Sequence, residues 1–148
     1  WFNNQTPPIS EKINNEIITL ANNSIKNYLI YFDNYKLDKA SNEILNFATN
    51  VNLYLNKKEP WSLIKDDKNI NEVKLIIYNV LESTRIIGTL MQPILPEFSN
   101  KILYQLGAQN IEKRDWEKRL NWGLLPEFLK SVSENACKGN ELTQLARK

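Results

Sequence analysis

Histidine is absent from the 148-residue chain, and cysteine occurs once, at Cys137. Without histidine the chain cannot form a Ser-His-Asp or Cys-His nucleophile, a His-ligated zinc site or a motif built on a histidine pair. The single thiol excludes an internal disulfide and a multi-cysteine metal site, and it fits a reducing compartment. An isolated enzyme is therefore a weak candidate, and we expect no catalytic residue and no metal site here.

Residues that form tight turns are also scarce, with 4 glycines and 6 prolines and neither an Asn-Gly nor an Asp-Gly dipeptide. An all-β chain needs many such turns, so a sandwich or barrel is nearly excluded. No apolar run is long enough to span a bilayer, and the first residues resemble no signal or transit peptide. We expect no membrane association. The chain begins with Trp1 rather than methionine, which favours a fragment or a processed product.

The charge balance does not by itself indicate a nucleic-acid binder. The chain carries 19 basic and 17 acidic residues, a formal net charge of +2. Proteins that grip nucleic acid over a wide area are usually far more basic than this. A nucleic-acid partner would have to be recognised locally.

Apolar residues recur at three- and four-residue steps in four segments, which is the period of amphipathic helices. This pattern predicts helices over about 10–33, 37–57, 70–91 and 96–106, joined by short connections. The stretch from 59 to 69 is predicted as a loop with one short turn. The sequence therefore predicts an all-α antiparallel helical bundle.

Three further positions refine this prediction. Gly88 inside the third helix costs about 1 kcal/mol relative to alanine, which indicates close packing against a neighbour. Gly107 is well placed just beyond the fourth helix, where a left-handed residue commonly ends a helix. Pro126 is predicted to open a last helix that is interrupted at Gly139.

The most informative stretch joins the second helix to the loop. The helix ends at Lys57 and Lys58, and Pro60 then fixes the backbone immediately before Trp61, with Lys65 nearby. An exposed, held indole among lysines has the ingredients of a single-strand RNA site, namely base stacking and phosphate attraction. Stacking on such a ring is worth about 1–3 kcal/mol per base.

The residues alone leave a second interpretation open. A tryptophan just after a helix is more often a core residue, and paired lysines are more often a solvated helix end. Arg85 in the third helix is likewise either a phosphate contact or a surface ion-pair partner. The helix stripes would also suit a protein-interaction module.

Several segments, in consistent order over residues 1–125, resemble the anticodon-binding domain of methionyl-tRNA synthetase, a class I aminoacyl-tRNA synthetase. Leu37 and Ser41 stand where that family usually has an aromatic residue and a leucine. Past Pro126 the chain departs from the pattern, so we divide it into a bundle over 1–125 and a C-terminal helical extension or tail over 126–148. The matching segments are Trp1-Phe2-Asn3-Asn4, Leu37-Asp38-Lys39-Ala40, Asn52-Leu53-Tyr54-Leu55, Glu59-Pro60-Trp61, Leu90 to Pro96, Ser99 to Gly107, and residues 119–125.

The resemblance implies a bundle of the class I anticodon-binding type with its first helix truncated. It implies that Trp61 stacks on an anticodon base of methionine tRNA, with Asn52 and Pro60 in the same motif; Asn52 either reads a base or braces the loop. The family's further Asn and Arg readers lie on a helix upstream of Trp1. The residues predicted to contact phosphates are Lys57, Lys58, Lys65 and Arg85.

The parent protein implied by the resemblance is a cytoplasmic methionine–tRNA ligase, with an organellar source left open. It would use ATP and magnesium. The family's H-x-G-H and K-M-S-K-S motifs are missing here, so we expect this chain to be inactive alone, without a cofactor, and to partner its own N-terminal catalytic domain. The alternatives are the interaction module and the anticodon-binding domain of a related class I synthetase, since the motifs are short.

Overall fold

The computed structural model describes residues 15–108 and 115–125, and this part of the chain is helical throughout, without a strand. A short 3₁₀ turn over Asp67–Asn69 lies between the third and fourth helices. The predicted all-α bundle is confirmed. The helices are α1 (Asn15–Asp33), α2 (Leu37–Lys58), α3 (Pro60–Leu63), α4 (Ile70–Met91), α5 (Pro96–Gln105) and α6 (Trp116–Arg119).

Helices α1 and α2 form an antiparallel pair joined by a three-residue turn. Each buries one face at the predicted three- and four-residue spacing. Tyr35 ends α1 in the left-handed conformation, at φ +58°; the Lys36 N–H donates to the Tyr31 carbonyl (2.9 Å) and the Tyr35 N–H to the Phe32 carbonyl (3.0 Å). This is a Schellman cap. The buried residues of the pair include Ile17, Ala21, Ser24, Tyr28, Ala40, Ile44, Phe47, Val51 and Tyr54.

Helix α4 is the central helix, because it packs against α1, α2, α3 and α5. It therefore buries more than the single apolar stripe that its sequence predicts. Several residues of that stripe, such as Ile77 and Val80, are only half-buried. The fully buried set on α4 instead includes polar residues, namely Asn79, Glu82, Ser83, Arg85 and Thr89.

A buried ion pair on α4 holds the segment 119–125, and we call this arrangement the α4 clasp. Arg85 donates to both carboxylate oxygens of Glu82, at 3.0 Å from Nε and 2.7 Å from Nη2. Nη1 also donates to the Arg119 carbonyl (2.6 Å), and Nη2 donates to the Asn121 carbonyl (2.7 Å). The Glu82 carboxylate also accepts three backbone N–H groups, from residues 123, 124 and 125, at 2.8–3.0 Å. The clasp thus satisfies five backbone groups that no helix or sheet pairs.

Helix α5 packs on α4 at Gly88, as predicted. A Cβ on Gly88 would lie 3.0 Å from Ile102 Cγ2, so alanine would crowd the interface. At the other end, Gly107 adopts φ +66°, and the Ala108 N–H donates to the Leu103 carbonyl (2.8 Å). Gly107 is therefore the predicted left-handed residue after the helix.

Two predictions fall outside the described residues. The start of the first helix at residue 10 precedes residue 15, and the last helix after Pro126 follows residue 125. Both stay predictions.

Candidate nucleic-acid interface

The chain reverses sharply between α2 and α3 at Glu59. This residue adopts φ 44° and ψ 56°, the left-handed region. Its N–H donates to the Leu55 carbonyl (3.1 Å) and closes α2, while its own carbonyl accepts from the N–H groups of Ser62 (2.9 Å) and Leu63 (3.2 Å) and opens α3. Pro60 occupies the first position of α3. A backbone N–H at that position has no partner within the helix, so its absence in proline costs no hydrogen bond. The connection predicted as a loop with one turn thus holds two short helical turns.

The neighbouring residues Pro60 and Trp61 differ sharply in burial. Pro60 is fully buried, whereas Trp61 keeps 45% of its surface exposed. Helix α3 packs against α4, which fixes the backbone beneath the indole. Of the two interpretations that the sequence left open for Trp61, the structure therefore favours the exposed ring. Because Pro60 is buried, its part in the site is to support Trp61 rather than to contact a ligand.

Asn52 lies on the exposed face of α2, six residues (about 9 Å) before the helix ends. Its side-chain amide makes no hydrogen bond within residues 15–108 and 115–125. The amide therefore does not brace the loop in the described part of the chain. Asn56, one turn closer to Trp61, is exposed on the same face.

The lysines near Trp61 differ in exposure and in ion pairing. Lys57 and Lys65 are exposed. Lys58 is half-buried, and its Nζ lies 4.0 Å from Glu72 Oε1, so part of its charge is already balanced. Acidic residues at 59, 66 and 67 alternate with the lysines. The net positive charge at this end is accordingly modest.

The sequence did not indicate a shallow groove of about 310 Å³ between α1 and α2 beside this site. Leu53, 59% exposed, is one wall of the groove. The sequence held no specific signal for it, because single exposed apolar residues are common on protein surfaces and Leu45 on the same helix is equally exposed (60%). The groove is lined by Glu16, Ile17, Leu20, Asn50, Leu53, Tyr54, Lys57 and Lys58.

The phosphate contact predicted for Arg85 is wrong, and so is the surface ion pair. Its side chain has no exposed surface, and its donors are occupied by Glu82 and by the carbonyls of residues 119 and 121. A fully buried guanidinium that already uses four of its five N–H donors within the fold cannot reach a phosphate. Arg85 belongs to the α4 clasp and is not part of the candidate interface at Trp61.

Neither a metal site nor a membrane-spanning helix occurs in the described part of the chain. Within it, no group of three or more histidine, cysteine, aspartate or glutamate side chains is placed to hold a metal ion. No described helix combines the length and apolar character needed to cross a membrane.

The structure thus combines an exposed indole after an N-x-Y-L helix end with an all-helical bundle, as the resemblance to an anticodon-binding domain of a class I aminoacyl-tRNA synthetase implies. A family model described as the anticodon binding domain of methionyl tRNA ligase matches residues 8–130. The chain belongs to this family.

Similar proteins agree with this assignment. The methionine–tRNA ligase of Sulfolobus acidocaldarius is 32% identical over 130 residues, covering 85% of this chain and 22% of that protein. The methionine–tRNA ligase of Saccharolobus solfataricus is 36% identical over 102 residues, covering 69% of this chain and 18% of that protein. The chain thus spans about a fifth of the length of these curated relatives.

A solved structure shows the same fold. The crystal structure of the apo form of methionyl-tRNA synthetase from Mycobacterium tuberculosis superposes with a TM-score of 0.71 at 22% identity. The match covers 84% of this chain and 28% of that chain.

Proposed function

We propose that this chain recognises the anticodon loop of methionine tRNA by stacking one anticodon base on Trp61. The single observation that carries the proposal is the contrast within the Pro-Trp pair, where the proline is buried and the indole is 45% exposed. A ring supported in this way needs little ordering when a base arrives, so less of the stacking energy is lost on binding.

The surrounding side chains fit the same role. The Asn52 amide, which has no partner among the described residues, can both donate to and accept from a base edge. Lys57 and Lys65 are exposed where phosphates would follow the stacked base. The near-neutral surroundings favour a partner that is read at one or two bases rather than along a backbone.

We further propose that the chain works as part of a longer cytoplasmic ligase whose catalytic domain precedes it. Its curated relatives are about four times as long, and the H-x-G-H motif of the family requires histidines that this sequence lacks. Use of ATP and magnesium would belong to that other domain. The chain alone is expected to give no methionine-dependent charging of tRNA.

The test is the affinity of the Trp61→Ala variant for a stem-loop that carries the methionine anticodon. We expect binding to weaken by about 1–3 kcal/mol, while the melting temperature stays near that of the unchanged chain because the ring is half outside the core. Phe98→Ala is the matched control, since Phe98 on α5 is also an exposed aromatic (54%). It should leave the affinity unchanged.

Two results would contradict the proposal. If Trp61→Ala melts far below the unchanged chain, the indole is a core residue and not a platform. If the two variants bind the stem-loop equally well, no base stacks on Trp61.

A further inference from the structure

A buried hydrogen bond ties the last part of α2 to the central helix. The Asn79 side chain on α4 donates from Nδ2 to the Tyr54 hydroxyl of α2 at 3.1 Å. Asn79 is 1% exposed, and Tyr54 is also buried. Burying two polar side chains in a largely apolar helix interface costs free energy unless they hydrogen-bond to each other. Such a pair therefore suggests a role beyond packing.

The location of the bond supplies that reason. Tyr54 lies five residues before Glu59, the residue at which the chain turns to present Trp61. The apolar contacts of α2 with α4 are non-directional and tolerate small rotations of the helix. A hydrogen bond has preferred distances and angles, so this one fixes the rotation of α2 just before its exposed end.

We propose that Asn79 and Tyr54 are positioning residues for anticodon binding, which set the orientation of Trp61 through the end of α2. This inference rests on the proposed function of Trp61. Although Tyr54 also lines the groove between α1 and α2, the bond between the two side chains is buried, so an effect of that bond on affinity is transmitted through the α2–α3 turn. Groups that hold a binding side chain in place are often as important as the side chain itself.

The test uses the double variant Tyr54→Phe/Asn79→Leu. Both polar partners are replaced by apolar groups of similar shape, which is often nearly neutral for stability. We expect a melting temperature close to that of the unchanged chain. Affinity for the methionine-anticodon stem-loop should fall about three- to tenfold, the size of one ordinary hydrogen bond.

Repeating the affinity measurement in the Trp61→Ala background separates a positioning role from a purely structural one. If the pair acts through Trp61, the double change should have no further effect there, within about twofold. Ser83→Ala is the matched control, because the Ser83 hydroxyl is buried on α4 but donates to the Asn79 carbonyl of its own helix (2.7 Å). It should bind normally.

Should the double variant fold poorly, Tyr54→Phe alone, measured well below its melting temperature, should show the same loss of affinity. The inference is overturned if the folded variants bind like the unchanged chain, or if their loss persists in the Trp61→Ala background. In both of those cases Trp61→Ala itself still weakens binding, so the proposed function stands. If Trp61→Ala binds normally, the proposed function and this inference fall together.

Discussion

Two regions of this molecule depart from the usual rule that charged side chains are exposed and large apolar ones are buried. In the α4 clasp the charged side chains of Glu82 and Arg85 are fully buried, whereas at the end of α2 the apolar Trp61 and Leu53 are exposed. Arginine and glutamate are rarely buried unless paired, and tryptophan is on average highly buried. Each region therefore has a specific task.

The two regions differ in where the partners of these unusual side chains come from. In the clasp the partners are inside the molecule, because the ion pair and five backbone groups of residues 119–125 satisfy one another. At the end of α2 no described residue covers the outer face of the indole. The first region is complete in the free protein, and the second is completed by a ligand in our proposal.

The largest expected effect comes from breaking the clasp with Arg85→Met. This change leaves the Glu82 charge buried without its cation, which typically costs about 3–5 kcal/mol. We expect the free energy of unfolding, measured by urea denaturation, to fall by that amount. Lys118→Ala, which removes an exposed ion pair with Asp115, should change it by less than about 0.5 kcal/mol.

A second change sharpens the same prediction. Replacing both partners, Glu82→Leu with Arg85→Met, removes the buried charges but leaves the backbone groups of residues 119–125 unpaired. Unlike many buried ion pairs, this one should not be replaceable by apolar residues without loss. A double variant as stable as the unchanged chain would show that the clasp is not what holds that segment.

The clasp could not be predicted from the sequence, and the reason is physical. The helical period identified the helices and most of their buried faces. Gly107 could be anticipated because local backbone geometry decides a helix end, and Gly88 because a glycine inside a helix is unfavourable unless a neighbour packs closely on it. The burial of Arg85 depends instead on backbone groups 34 and 36 residues away. No local pattern records such a partner. The exposure of Trp61 was open for the same reason, since it depends on how α3 meets α4.

The next effect is the pH dependence of the buried region. Burial raises the pKa of Tyr28 to about 12. Burial also raises the pKa of Tyr78 to about 12; the negative charge of Glu82 adds to the rise and Arg85 opposes it. Both values lie above the ordinary 10.0, so the fold favours the neutral phenols. This stabilisation is present below pH 10 and is lost as the pH rises toward 12.

We therefore expect the melting temperature to fall between about pH 10 and pH 12. The Tyr28→Phe variant should show a shallower fall, because one of the two phenols is gone. It should also be at least as stable at neutral pH, since the buried Tyr28 hydroxyl has no hydrogen-bond partner among the described residues. Equal alkaline slopes for the two proteins would contradict this explanation.

A smaller effect concerns the exposed region and its lysines. The paired change Lys57→Ala/Lys65→Ala should leave stability unchanged, because both side chains are exposed. It should make the salt dependence of stem-loop binding shallower by about 0.7 for each phosphate that is no longer neutralised, so by up to about 1.4 in log K against log salt. Lys101→Ala on α5, also exposed, is the control. An unchanged slope would mean that these lysines bind no phosphate.

The smallest expected effect concerns an exposed aromatic residue that lies outside the candidate interface. Tyr35 is 92% exposed in a left-handed conformation at the α1–α2 turn, away from the end of α2. Tyr35→Gly removes the steric cost of that conformation and should stabilise the fold by up to about 1 kcal/mol. Stem-loop affinity should not change. A loss of affinity would extend the binding surface to a region where our account places none.

The most direct test of the central claim is base stacking itself. Stem-loops that carry fluorescent 2-aminopurine at each anticodon position in turn would be titrated with the unchanged chain and with the Trp61→Ala and Phe98→Ala variants. We predict a fluorescence change on binding at one position, caused by stacking on the indole, that persists in Phe98→Ala and disappears in Trp61→Ala at saturating protein. The same fluorescence change in saturated Trp61→Ala would contradict the account.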